Sequence, residues 1–184
     1  MTHDFQNLRD ALDSRVERGL IDRVQDIDSP LTLYNYSNEC VYEKVWDEYT
    51  LEARGLILDN ERECIAARPF RKFFNHGEVA EPLPDGPFTV YDKVDGSLGI
   101  TFYDWHQRRW RMATRGSFKS PQAIRGEEML READPLLDML DHTYLLEIIY
   151  PENRIVVDYR GKNMLVFLGA RHNETGIEIE KFPL

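Results

Sequence analysis

Little in this sequence can crosslink the chain. Two cysteines, Cys40 and Cys64, stand well apart and form no C-x-x-C pair, which excludes a disulfide framework and a cysteine-based zinc site. The histidines His3, His76, His106, His142 and His172 show no H-x-x-x-H spacing, so each reads as a surface or core residue rather than a ligand. No apolar run approaches the roughly 20 residues needed to span a bilayer. The N-terminal MTHDFQNLRD lacks the basic-then-apolar order of a signal peptide, so a cytoplasmic protein with no membrane association is expected. No repeat, low-complexity tract or linker divides the 184 residues, and that length fits one domain, 1–184, able to bury a sizeable core.

Positive charge is also scarce. The formal net charge is −10, which excludes a protein that coats nucleic acid by bulk attraction. The distribution is uneven, however. From Trp105 to Gly126 the sequence WHQRRWRMATRGSFKSPQAIRG holds six Lys or Arg and no Asp or Glu. Interleaved aromatics in such a stretch suit a polyanion, and the residues that would face RNA are Arg108, Arg109, Arg111 and Lys119. The alternative is a solvated strand face. A second basic cluster, Arg68, Arg71 and Lys72, lies in ARPFRKFF.

Hydrophobic spacing supplies the elements. Phe5, Leu8, Leu12 and Val16 recur at helical intervals, predicting a helix over about residues 4–19. LTLYNYS and TLEARGLILD read as strands, with ECIAARPF pairing back on the second. EPLPDGPF is a connector. FTVYDKV and SLGITFYD flank an Asp-Gly turn, and RRWRMATR follows as a third strand. Ser120-Pro121 has the form of an N-cap and first helical position, opening a helix through Arg131. TYLLEIIY, RIVVDY and MLVFLGARH are three late strands, and the last turn falls at Asn173–Gly176. Many strands joined by hairpins, with few helices, make an α+β fold dominated by antiparallel sheet.

The stretch that raises a chemical question is VYDKVDGSLGI, Val90–Ile100. Asp-Gly between alternating apolar residues signals a hairpin, which would make Lys93 an ordinary solvated side chain. Lys93 could instead be a nucleophile held at a strand end. That role requires its pKa to fall from about 10.4 to about 7, a change of roughly 4–5 kcal/mol supplied by desolvation and nearby positive charge. Attack on phosphorus adds further requirements, and the chain has candidates for each: carboxylates in Asp95 and Glu147, cations in Arg54, Lys72 and Arg115, flat rings in Phe73 and Phe74. Glu147 sits among apolar neighbours in YLLEIIY, where a carboxylate needs a reason.

The segments EARGLILD, ARPFRKFFNHGE, KVDGSLGI, TRGSFKS and YLLEIIYPENRIVVDY, in this order, resemble the ATP-dependent RNA ligases of the bacteriophage T-even tRNA-repair type, the RNA ligase 1 family. That family belongs to the covalent lysine nucleotidyltransferase superfamily, with DNA ligases and mRNA capping enzymes. The resemblance implies a nucleotidyltransferase (ATP-grasp-like ligase) core over about residues 31–184. It implies ATP and magnesium as cofactors, and RNA with 5′-phosphate and 3′-hydroxyl ends as partner. By the same resemblance Lys93 would attack the α-phosphate of ATP, and Asp95 and Glu147 match positions that hold magnesium, Glu147 also serving the nucleotide. Arg54 matches a nucleotide-contacting arginine, Lys72 a lysine over the phosphates and Phe74 a ring beside adenine. Gly96 matches a glycine beside a phosphate. Arg115 stands where the family's K-G-S has lysine, keeping the charge but replacing a point charge by a planar fork. Asn153 and Arg154 fall in the matching P-x-N-R-I-V segment as structural or RNA-side residues.

One departure matters. The family core continues with an E-G-x-V carboxylate strand and a K-x-K strand, and neither occurs before the final ETGIEIEKFPL. The resemblance therefore leaves three explanations: a cut chain, one half of a split ligase completed by a second chain, or a ligase-derived module that binds RNA or nucleotide without catalysing. A capping-type guanylyltransferase is a further alternative, distinguished by which nucleotide labels the protein.

Overall fold

Period-two alternation in LTLYNY and RGLILD sorts their side chains onto two faces, and the architecture follows from what covers each face. A computed structural model describes residues 5–78, 86–133, 137 and 139–179. In chain order the elements are α1 (Phe5–Glu17), β1 (Ile21–Gln25), β2 (Leu31–Tyr36), α2 (Asn38–Glu43), α3 (Glu48–Glu52), β3 (Arg54–Asp59), β4 (Cys64–Ala67), β5 (Ser97–Asp104), β6 (Arg109–Ala113), α4 (Pro121–Ala133), β7 (His142–Ile149), a 3-10 turn (Pro151–Asn153), β8 (Met164–His172) and β9 (Glu178–Ile179). They form two antiparallel sheets, ordered β1-β2-β3-β4 and β6-β5-β7-β8-β9.

Leu31, Leu33, Ile57 and Ala67 of the first sheet pack against Ile100, Phe102, Ala113, Phe118 and Leu145 of the second or its connections. The other face of the first sheet, through Tyr34, Leu56 and Leu58, meets Leu8 and Leu12 of α1. The other face of the second, through Met112, Leu146 and Ile148, meets Met129 and Leu130 of α4. The order is thus helix, sheet, sheet, helix. Asn173 also joins the sheets: its side chain accepts from Thr143 Oγ1 (2.7 Å) and donates to Ala66 O (3.0 Å), while its carbonyl accepts from Arg68 Nε (2.6 Å).

At one edge the layer between the sheets is closed by charge. Arg111, 3% exposed, donates to both Asp26 and Asp104, the latter at 2.9 Å. Ser29 Oγ donates to Asp104 at 2.6 Å, so the β1–β2 turn is tied to the second sheet.

Several elements match their sequence signals. Helix α1 lies inside the expected 4–19 span, β5 is SLGITFYD, and Ser120 Oγ caps α4 by accepting from Ala123 N (3.1 Å). Two expected strands do not form. FTVYDKV is irregular and exposed, with Phe88 86% accessible, because β5 takes its partners from β6 and β7. RIVVDY is a loop, because Asp95 Oδ2 accepts from Val156 N and Val157 N (2.8 Å each) and fills the donors a neighbouring strand would need. The expected strand TLEARGLILD begins only at Arg54, since the reciprocal Asp47–Thr50 capping box winds α3 just before it. Most of the expected connector EPLPDGPF and the final five residues lie outside the described residues.

Removing one partner from a buried ion pair leaves the other charge unmatched, at about 3–5 kcal/mol. Asp104→Asn should lower the urea midpoint accordingly. Burial pushes the Asp104 carboxyl up, but bonds from Ser29 and Arg111 outweigh it and hold the pKa below its ordinary value. Its stabilisation is therefore complete above the unfolded value of about 3.9 and lost as pH falls through the lower folded pKa. Urea titrations between about pH 2 and 7 should show that acid loss in the native chain and a shallower one in the variant.

Candidate functional site

At the opposite side of the inter-sheet layer the charges are less completely matched. Strand β3 begins with Arg54 and Gly55, and Gly55 holds φ +93°. A Cβ there would stand 2.4 Å from Ile100 Cδ1 and 3.1 Å from Arg115 Cα. Only glycine tolerates both the left-handed backbone and that approach. The contact brings Arg115, in the turn after β6, over the end of β2, where its Nη1 donates to Tyr36 OH (2.7 Å).

Arg54 is half-buried, and its buried Nη1 finds no hydrogen-bond partner among the described residues. Burial lowers its pKa, an effect opposed by Tyr36 and reinforced by Arg115. A buried guanidinium with an unused donor is costly unless an anion meets it. Its carbon also lies 5.2 Å from the centre of the exposed Phe73 ring.

Glu147 explains its own oddity in YLLEIIY. Along β7, Leu146 and Ile148 face α4, so Glu147 takes the other face with Leu145. Burial raises its carboxyl pKa, while the Gly96 amide, Lys93 and Arg54 lower it and Asp95 raises it. Gly96 fits because a Cβ would lie 2.6 Å from Ile148 O and 3.1 Å from Glu147 Cγ. Asp95 has its pKa lowered by the amides of Val157 and Val156, with Lys93 adding to the effect. Its own amide donates to Tyr159 OH (2.9 Å).

Beyond Arg54 runs a row of rings. Tyr36 and Trp46 meet edge-on at 5.3 Å, Trp46 and Phe74 at 5.5 Å. Lys72 Nζ lies 4.4 Å from the Phe74 ring centre and 3.6 Å from Glu78 Oε1.

The structure thus brings together Lys93, Asp95, Gly96, Glu147 and Arg54, then Arg115, and reaches Phe74 and Lys72 through the aromatic row. Tyr36, Trp46 and Gly55 belong to the same place and were not singled out from sequence. The cue for Gly55 was a glycine directly beside a candidate arginine. Lys93 departs from expectation: it is exposed on an irregular segment, so the desolvating strand end is not formed. Three of the four expected RNA-facing residues also carry ion pairs. Arg111 is buried in its ion network, Arg109 pairs with Glu127, and Lys119 with Asp28 (2.6 Å). Of these four, only Arg108, exposed in the β5–β6 turn, has no ion pair among the described residues. The patch was contiguous in sequence, but acids from remote segments neutralise it.

For magnesium, the available donors are Glu147 and the Asp95 oxygen not engaged by the loop amides. No group of three His, Cys, Asp or Glu side chains arranged to hold a metal occurs among the described residues. Two carboxylates nevertheless fit an ion usually held by one or two carboxylates together with substrate phosphates.

A carboxyl whose folded pKa is raised favours stability at low pH and loses it as pH rises through that folded value. Glu147→Gln should therefore raise the melting temperature more at about pH 8 than at about pH 4, as read by circular dichroism.

A family model described as RNA ligase matches residues 52–183. A Thermovibrio ammonificans protein, named provisionally as an RNA ligase, is 33% identical over 135 residues, 68% of this chain and 35% of its own length. RNA ligase 1 of bacteriophage TS2126 is 32% identical over 126 residues, 59% of this chain and 31% of its own. The RNA ligase of Rhodothermus phage RM378 is 24% identical over 214 residues, covering 92% and 47%. The chain thus spans between about a third and a half of these relatives. No described helix is long and apolar enough to cross a membrane. With the family model covering well over half of its residues, the chain belongs to the T4-type RNA ligase family.

Proposed function

We propose that this cluster is an adenylyl-transfer site, and that the chain is the nucleotidyltransferase part of an ATP-dependent RNA ligase joining 5′-phosphate to 3′-hydroxyl ends. The observation that carries the reading is the buried Nη1 of the Arg54 guanidinium, which no acceptor meets among the described residues. It stands between an aromatic row and a lysine flanked by two carboxylates, in a chain of the RNA ligase family.

In this reading ATP enters with its base along the Tyr36–Trp46–Phe74 row and its phosphates toward Arg54, Arg115 and Lys72. Lys93 Nζ, having released a proton to solvent, attacks the α-phosphorus. A nitrogen–phosphorus bond forms, the bond to the bridging oxygen of the β-phosphate breaks, and pyrophosphate leaves with the electron pair. The AMP then passes to the RNA 5′-phosphate, and the 3′-hydroxyl displaces it. Arg54 and Arg115 hold the phosphates in line, which contributes by position and by charge. Asp95 and Glu147 would hold magnesium, which when bound neutralises charge developing on the phosphates. Glu147 also draws the Lys93 side chain toward the site.

The second reading is binding without transfer. The exposed position of Lys93, on an irregular segment rather than at a strand end, favours it.

Incubation with α-labelled ATP and magnesium, followed by a denaturing gel, separates the two. Label on the native chain that is lost in Lys93→Ala, with an unchanged melting temperature, is the expected result. The absence of label on the native chain would overturn transfer by this chain.

A further inference from the structure

The Arg109, Arg111 and Lys119 charges are matched by acids, so an RNA strand needs another face. Two cations near the candidate site have no ion pair among the described residues, Arg160 and Lys162. They sit on one tight turn. Arg160 has φ +55° and Gly161 φ +75°, Lys162 N donates to Tyr159 O (3.3 Å), and Arg160 N donates to Asp158 Oδ1 (2.8 Å). A non-glycine residue held at positive φ is strained backbone, which persists where the surroundings over-determine it. Here they do. Tyr159 OH receives the Asp95 amide, and Asp95 Oδ2 receives the amides of Val156 and Val157. The turn is therefore anchored to the segment that carries Lys93, two residues before Asp95.

A cleft of about 180 Å³ opens beside this anchor, with Asp95, Tyr150, Arg154, Tyr159 and Lys162 on its walls. A second cleft of about 520 Å³ shares Tyr150 and Pro151 with it and reaches Arg125 of α4. Together they make a groove that starts at the candidate site and leads away across Tyr150. The other charges along it are largely compensated: Arg154 pairs with Asp158 (3.3 Å), and Arg125 with Glu128 (3.1 Å), while Glu152 lines the second cleft. Lys162 lines the first cleft, Arg160 precedes it on the same turn, and neither has an ion pair among the described residues.

We infer that this groove seats a single-stranded RNA end, with backbone phosphates on Arg160 and Lys162 and bases against Tyr150 and Tyr159. The inference rests on the adenylyl-transfer reading, because an RNA end must reach the Lys93–Asp95 corner to be joined. Cations at the edge and rings along the floor are what a single strand requires, since phosphates supply the charge and every base has a face to stack. The chain's net charge of −10 opposes long-range attraction, so binding depends on these local contacts and on salt.

The test is fluorescence anisotropy with a short, 5′-phosphorylated single-stranded RNA, without ATP, over a range of salt concentrations. In the variant Arg160→Asn with Lys162→Gln, asparagine is chosen because it accepts the left-handed backbone. Affinity should fall about tenfold, and the salt slope should drop by about 1.4, or about 0.7 per lost phosphate contact. Arg109→Gln with Lys119→Gln, on the ion-paired face, should change affinity by less than about twofold. Both pairs are exposed, and melting curves verify that each variant folds. The groove is overturned if the native chain does not bind this RNA, if binding ignores residues 160 and 162, or if the 109/119 pair carries it instead. ATP labelling is read separately. Label with RNA binding indifferent to 160 and 162 overturns the groove alone. Loop-dependent RNA binding without label overturns the transfer reading alone.

Discussion

One apolar layer, trapped between two antiparallel sheets, sets the terms for every charge in this protein. In a low-dielectric layer an ion pair is held firmly and an unmet charge is expensive. The molecule shows both conditions. Where the layer meets the β1–β2 turn, Arg111 is matched by two aspartates and closes the sandwich. Where it meets the start of β3, Arg54 retains a donor with nothing to receive it, and the nearby Glu147 carboxyl is pushed up by burial. The first arrangement is complete in itself. The second is suited to receiving phosphates, because an anion entering there meets groups that are already desolvated and already fixed in position.

The strands that sequence made legible are those with a buried face on a regular period. LTLYNY, SLGITFYD and MLVFLGARH appear where their apolar residues place them. Strand β1 escaped notice because only Ile21 of its five residues is buried, so no alternation marks it. VYDKV and RIVV have the β-branched and aromatic content of strands, yet β5 pairs with β6 and β7 instead of VYDKV, and the Asp95 carboxylate takes two of the RIVV amides that pairing would require. Composition alone cannot report that competition. Within the candidate site, the Asp-Gly turn drew attention to Lys93, and the familial pattern pointed to Arg54 and Glu147. Tyr36 and Trp46 carry no comparable mark, since an aromatic ring in a strand or beside one looks the same whether it packs or lines a pocket.

Charge runs proved the least transparent feature. Six cations without an intervening acid suggest a surface for a polyanion, but Asp26, Asp28 and Glu127 reach three of them from other parts of the chain. The DYRGK stretch drew no comparable attention because an aspartate sits within it. Its Asp158 is engaged by Arg154 and by the Arg160 amide, and Arg160 and Lys162 have no ion pair among the described residues. Local charge density in sequence is thus a poor guide to local charge density in space.

The position of Asn173 bears on how such a chain acquires its form during synthesis. Four hydrogen bonds converge on this one residue, and two of them reach Ala66 and Arg68 more than a hundred positions earlier. The β1–β4 meander is built from near neighbours and can assemble while the ribosome is still extending the chain. The Asn173 lock onto the second sheet cannot close until the turn at residues 173–176 has emerged. The inner face of the first sheet is therefore covered first by Ile100, Phe102 and Phe118, and the hydrogen bonds that fix the two sheets in register follow only when Asn173 arrives.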